Sequence, residues 1–99
     1  MTEEEQKVFK AAQDALEDAT PAGMKVLYFF YFKAFYVEGG NKTKVTEPVT
    51  FKLKIDNISE LVVKQFIDGE WVELNSAINA DGTITIEGAV EGPMAIFVA

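Results

Sequence analysis

The chain of 99 residues contains no cysteine, no histidine and no arginine. The absence of cysteine and histidine excludes thiolate zinc sites, cysteine nucleophiles, the serine–histidine–aspartate relay and histidine-based metal centres. The nine basic residues are all lysines and stand against sixteen acids, which gives a net charge of −7. Nucleic-acid binders need a basic stripe, and an anionic membrane surface repels a chain of this sign. We therefore expect neither nucleic acid nor a membrane among its partners.

Catalytic and metal-binding signatures are also missing. Ser59 and Ser76 are the only serines, and no imidazole base exists for either. The sequence has no glycine-rich phosphate loop and no D-x-D-x-D-G calcium loop. Acids and amides near the expected loops are residue types that make turns and keep a surface hydrated: Asp56, Asn57, Glu60, Asp68, Glu70, Asn79 and Asp81. We expect no enzymatic activity, no cofactor and no metal site.

The length permits a single domain, residues 1–99, and 48% apolar residues are enough for one core without disulfides. Residues 1–20 predict an N-terminal amphipathic helix, spanning positions 2–19. Thr2 and Glu5 have the spacing of a capping box, and Thr-Pro-Ala-Gly at 20–23 ends the helix. One helix face carries the apolar residues Val8, Phe9, Ala12, Ala15, Leu16 and Ala19.

Residues 24–99 predict short antiparallel strands. Positions 48–56 alternate apolar and polar residues, and Asp-Gly at 68–69 separates strands 61–67 and 70–74 as in a hairpin. Further strands are expected at 83–87 and 94–98, with an edge or bulge at 42–46 before Pro48. Four asparagines are interpreted as turn residues: Asn41, Asn57, Asn75 and Asn79. The expected core residues are Phe30, Phe32, Phe51, Leu53, Ile55, Ile84, Ile86 and Ile96.

Residues 25–37, KVLYFFYFKAFYV, contain seven aromatic side chains. A helix of thirteen residues rises roughly 20 Å, short of the roughly 30 Å of a membrane core, and Lys25 and Lys33 lie within it. The run therefore predicts one long strand whose even-numbered side chains, which lack charge, face the core. Phe29, Tyr31 and Phe35 share the opposite face. They either pack beneath the helix or form a platform for a sugar or a protein.

Trp71, the only tryptophan, follows the Asp-Gly turn. It either covers the rim of the core or points outward as ligand-stacking residues do. The possible ligand or partner surface therefore consists of Trp71, Phe29, Tyr31 and Phe35.

Six segments share a pattern of strand and turn residues: PAGMKVLY at 21–28, PVTFKL at 48–53, LVVK at 61–64, DGEWVEL at 68–74, DGTITI at 81–86 and MAIFV at 94–98. Together these segments resemble a β-sandwich module of large surface proteins of Gram-positive bacteria. The resemblance implies a mainly β, antiparallel, Ig-like β-sandwich of six or seven strands over residues 24–99, with the helix packed on it.

Function is an expectation from the same resemblance. It implies a non-catalytic structural, spacer or interaction module of an extracellular, cell-surface protein. The alternative is a carbohydrate- or protein-binding module that uses exposed aromatic residues. Neighbouring domains of a larger parent chain, or a surface glycan or protein, would be the partners, with the secretion signal and wall anchor outside residues 1–99.

Overall fold

The computed structural model describes residues 1–99, and the chain is mainly β, with 53% of residues in strands and 16% in helix. The helical segments are α1 (Glu3–Asp14) and α2 (Leu16–Ala19). The strands are β1 (Lys25–Phe32), β2 (Phe35–Glu38), β3 (Asn41–Lys44), β4 (Val49–Lys54), β5 (Leu61–Ile67), β6 (Glu70–Ile78), β7 (Thr83–Ala89) and β8 (Gly92–Val98).

The predicted N-terminal helix is present with its capping box. The Thr2 hydroxyl accepts from the Glu5 amide at 3.1 Å, and the Thr2 amide donates to the Glu5 carboxylate at 2.8 Å. The prediction of one continuous helix over residues 2–19 is wrong, because the helix is interrupted at Ala15, which leaves α1 and the short α2. Carbonyls at the C-terminal ends of helices need other donors, and side chains of the sheet supply one to Ala12 of α1 and one to Ala19 of α2.

Six strands form one curled antiparallel sheet in the order β1-β8-β5-β6-β7-β4. Strand β6 is long enough to pair with two neighbours: Val63 lies opposite Leu74 on the β5 side, and Asn75 lies opposite Glu87 on the β7 side. The expected end of this strand at residue 74 was therefore too early. Asn75 is a strand residue and not the turn residue expected, because the β7 ladder continues where the β5 ladder stops.

The aromatic run is not one strand, contrary to the prediction. Strand β1 pairs only with β8, and that ladder ends where Phe32 meets Gly92. Beyond this point the chain has no β8 residue left to pair with. It leaves the sheet at Lys33 and Ala34, and β2 pairs with β3 as a separate two-stranded hairpin.

The core occupies the concave inner face of the curled sheet. Ile84, Ile86 and Ile96 are fully buried, as predicted, and the other five expected core residues are half-buried and pack against them. The Phe32 and Phe51 rings stack with centroids 5.0 Å apart, so the first and last strands of the sheet meet across the core. The assignment of the even-numbered face of β1 to the core is confirmed for Phe30 and Phe32 but is wrong for Val26 and Tyr28, which are 37% and 52% exposed where the register of the β1–β8 ladder shifts.

Sequence reasoning underestimated the burial of β8. All seven of its residues are buried. The strand lies between β1 and β5, with the inner core on one face and the helix on the other. Ala95 and Phe97 therefore pack with Ala19 on the outer face, where Leu16, Met24 and Val62 complete a second cluster.

Candidate functional site

Two of the four predicted ligand residues lie beneath the helix. The Phe9 ring stacks on Phe29 with centroids 4.4 Å apart, and Trp71 lies 6.1 Å from Phe29. The Trp71 indole nitrogen donates to the Ala12 carbonyl of α1 at 3.2 Å, and Lys64 donates to the Ala19 carbonyl of α2 at 2.8 Å. The sheet thus supplies donors to the C-terminal ends of both helical segments, and the helix covers the outer aromatic face.

The third residue, Tyr31, belongs to a polar cluster at the end of β1. Its hydroxyl donates to Glu91 Oε2 at 2.8 Å. Burial, together with this carboxylate, raises the pKa of Tyr31 above its ordinary value. The other oxygen, Glu91 Oε1, is buried and has the ammonium of Lys44 as its partner. Glu91 therefore joins the sheet to the β2–β3 hairpin.

The position of Glu91 depends on Gln65, a fully buried polar side chain of β5. Its amide oxygen accepts from the Val90 amide at 3.0 Å, and its amide nitrogen donates to the Val90 carbonyl and, at 3.4 Å, to the Gly92 carbonyl. Gly92 has a φ of 149°, and a Cβ there would lie 2.9 Å from the Phe66 carbonyl oxygen. Gln65 thus holds the residues on both sides of Glu91.

A second ion pair ties the hairpin base to the helix. Lys33 Nζ lies 2.6 Å from Glu5 Oε2. Its hydrogen bond to Glu5, followed by that from the Thr2 amide, lowers the pKa of Glu5 from 4.5 to about 2, and the same hydrogen bond raises the pKa of Lys33. A cleft of about 310 Å³ between helix and hairpin is lined by these groups together with Tyr31 and Glu91.

The β2–β3 hairpin itself is exposed along its whole length, and neither strand pairs with a third. Three consecutive apolar side chains are open to solvent: Phe35 is 45% exposed, Tyr36 62% and Val37 71%. The turn uses Gly39 and Gly40 at positive φ, the pattern of a two-residue hairpin loop. Phe35 is thus the one predicted ligand residue that lies on an open surface away from the helix.

The two faces of the hairpin differ in chemistry. Residues directly opposite in a ladder share a face. Phe35 lies opposite Lys44 and Val37 opposite Lys42, which makes one face apolar and cationic. The ammonium groups of Lys33 and Lys42 lie 5.7 and 6.0 Å from the centre of the Phe35 ring. The other face pairs Tyr36 with Thr43 and Glu38 with Asn41, an aromatic residue among uncharged and acidic polar groups.

Among the loop acids, no group of three or more side chains gathers in a geometry that could hold a metal ion. Asp81 accepts from the Thr83 hydroxyl at 2.6 Å and from the Thr83 amide at 3.0 Å, which lowers the pKa of Asp81. Asn57 and Asp68 have positive φ and occupy turns. These residues shape the loops between strands.

Sequence reasoning missed most of the hairpin site. Tyr36 and Val37 were assigned to a continuous strand, and Glu91 and Gln65 received no role. Two signals were present in the sequence: the two glycines before Asn41, and the acid Glu91 between the two last strands. No sequence pattern connects that acid to Lys44, because 46 intervening residues separate them.

The chain matches no protein-family model, no curated protein and no solved structure. Neither helical segment has the length and apolar character required to cross a membrane.

Proposed function

We propose that the chain is a non-catalytic interaction module of an extracellular, bacterial cell-surface protein, and that the β2–β3 hairpin makes its contacts. In this proposal the curled sheet is an Ig-like sandwich. Strands β1, β8, β5 and the first part of β6 would form one layer, and the rest of β6 with β7 and β4 the other. The likeness of segments such as PAGMKVLY and DGEWVEL to surface-protein modules supports this reading.

The observation that carries the proposal is the exposed apolar tip of the hairpin. An isolated two-stranded hairpin is marginally stable in water, yet this one presents Tyr36 and Val37 to solvent. Its base is fixed by two ion pairs, Lys44 with Glu91 and Lys33 with Glu5. A projecting element held rigidly at its base loses little conformational freedom on binding, which favours affinity.

The non-catalytic part of the proposal is supported by the state of the charged groups. Glu5, with its pKa near 2, stays ionised at neutral pH and cannot serve as a general acid. Both oxygens of Glu91 are already engaged, one by Tyr31 and the other by Lys44. The cluster therefore fits an anchor for the hairpin, and neighbouring domains of a parent chain or a surface protein are the partners proposed.

The test uses binding of the fluorescently labelled chain to intact Gram-positive cells, measured by flow cytometry. Val37→Ser removes apolar area at the tip, and burial of such a side chain is worth about 1.5 kcal/mol or more, or about tenfold in affinity. We expect a loss of that size. The matched control Ile78→Ser changes an exposed apolar residue at the end of β6 and should bind like the unmodified chain. Equal binding by all three proteins would contradict the proposal.

A second candidate function is carbohydrate binding through the opposite face of the hairpin. Tyr36 offers an exposed ring there, with Thr43, Asn41 and Glu38 as hydrogen-bonding neighbours. Sugars stack on such rings and bond to adjacent polar groups. A glycan array probed with the chain and with Tyr36→Ser distinguishes this function: a signal lost in the variant supports it, and no signal from the unmodified chain removes it.

A further inference from the structure

The hairpin has unused backbone groups whose identity follows from its register. The Val45 amide donates to the Ala34 carbonyl at 2.9 Å, so residues 34 and 45 form a hydrogen-bonded pair. Hydrogen-bonded and non-hydrogen-bonded pairs alternate along an antiparallel ladder. Positions 36/43 and 38/41 are therefore bonded pairs, and 35/44 and 37/42 are not. On β3, the amides and carbonyls of Lys42 and Lys44 consequently point away from the hairpin.

The same two lysines give this edge its charge. Their side chains lie on the face that also carries Phe35 and Val37. Residues 33–45 contain three lysines and one glutamate. Lys33 is paired with Glu5 and Lys44 with Glu91, whereas Lys42 has the Phe35 ring as its neighbour and no acid within salt-bridge distance. The edge therefore offers one unpaired cation, Lys42, and the half-exposed Lys44 beside exposed apolar side chains.

We infer that the free edge of β3 binds an extended acidic segment of another protein, which adds to the hairpin as a third strand. This inference rests on the proposed role of the hairpin as the contact surface. In an antiparallel ladder, the two segment residues directly opposite Lys42 and Lys44 exchange backbone hydrogen bonds with these lysines. These two residues are two positions apart, so their side chains lie on the same face as the lysine side chains. The segment therefore carries acidic residues at alternate positions. Its acids meet the lysine side chains while its main chain completes the ladder.

A second copy of the chain does not fit this edge. Pairing β3 with β3 of another copy places lysines among lysines, and like charges on adjacent strands are destabilising. The end strands of the six-stranded sheet, β1 and β4, also carry lysines, and Lys25 and Lys54 line one cleft with Leu27 and Tyr28. The register of β1 shifts between Val26 and Tyr28, and such an irregularity disturbs pairing at an edge. The β3 edge is regular, and its unpaired Lys42 shares a face with Phe35 and Val37, which are 45% and 71% exposed.

The experiment measures binding of a blocked, fluorescein-labelled eight-residue peptide, in which glutamate alternates with threonine and valine, by fluorescence anisotropy. In one control peptide lysine replaces each glutamate. Two further peptides carry N-methyl groups, one on the glutamates and one on the intervening residues. Because the glutamate amides face β3 in the proposed register, methylation there should lower affinity at least about tenfold, and methylation of the intervening residues should not.

Protein variants give an independent readout. Lys42→Glu replaces an attraction with a repulsion at an exposed site and should weaken binding of the glutamate peptide about fivefold to tenfold. The control Lys52→Glu makes the same charge change on β4 and should leave affinity unchanged. Lys44 is not used, because its replacement would also release Glu91.

Absence of binding, equal binding of the lysine peptide, or equal effects of the two methylation patterns would overturn the inference. If the inference fails in this way while Val37→Ser still lowers cell binding, the hairpin remains the proposed contact surface and only the acidic-strand partner is wrong. If both experiments fail, the proposed function fails with the inference.

Discussion

Replacing Gln65 by methionine tests how the hairpin anchor is built. Methionine is close in length and volume, but its sulfur is only a weak acceptor for the Val90 amide and it has no donor for the carbonyls of Val90 and Gly92. An orphaned buried donor costs about 1–3 kcal/mol, and the lost bonds to carbonyl oxygen add about 0.5–1.5 kcal/mol. We expect Gln65→Met to lower the free energy of unfolding by about 2–4 kcal/mol, and the Tm by roughly 10–30 °C.

Urea unfolding, followed by circular dichroism and extrapolated to water, measures this difference. Gln13→Met is the matched control, because this substitution makes the same chemical change at an exposed position of α1. Its unfolding free energy should stay within about 0.5 kcal/mol of the unmodified chain. A Gln65→Met protein as stable as the control would refute the argument that this amide holds the turn around Glu91.

Two other predictions concern the helix. Glu5→Gln keeps a side chain that can complete the capping box but removes the charge facing Lys33. In the unmodified chain, the pKa of Glu5 is about 2 in the folded state and 4.5 in the unfolded state. As pH falls, Glu5 therefore becomes protonated in the unfolded state first. The stability advantage of the unmodified chain over this variant should therefore be full above pH 4.5 and disappear as pH falls towards 2 in thermal melts; an advantage that persists at pH 2 would contradict the ion pair. Phe9→Ala removes the ring stacked over the sheet and should lower the free energy of unfolding by about 2–3 kcal/mol and shift Trp71 fluorescence emission to the red. The control Phe35→Ala, in the exposed hairpin, should leave Trp71 emission unchanged. Unshifted emission in Phe9→Ala would show that the helix does not cover this face.

The features predictable from the sequence are those set by near neighbours. The capping box of Thr2 and Glu5 needs only their spacing, and the alternation from Phe51 to Ile55 assigns the inner face of β4 directly. The Asp-Gly turn at 68–69 likewise places the β5–β6 hairpin, because its loop residues have the conformations that such turns require.

The features that escaped prediction depend on distant parts of the chain. The aromatic run breaks at Lys33 because its partner strand begins at Gly92, and no local pattern encodes that limit. Gln65 is buried because Val90 offers it both a donor and an acceptor, 25 residues away. From the sequence, Trp71 could either pack or bind a ligand. The Ala12 carbonyl, which accepts from the Trp71 indole, decides for packing. Ala12 lies in the last turn of α1, just before a helix break that was not predicted.

The helix and the sheet enclose the aromatic residues of the outer face, whereas the hairpin leaves its own aromatic residues exposed. Photochemically induced dynamic nuclear polarisation measures this directly, since it enhances NMR signals only of tyrosine and tryptophan rings that a dissolved dye can reach. We expect a strong signal from Tyr36, which is 62% exposed, and much weaker signals from the half-buried Trp71 and Tyr31. A Trp71 signal as strong as that of Tyr36 would contradict this arrangement.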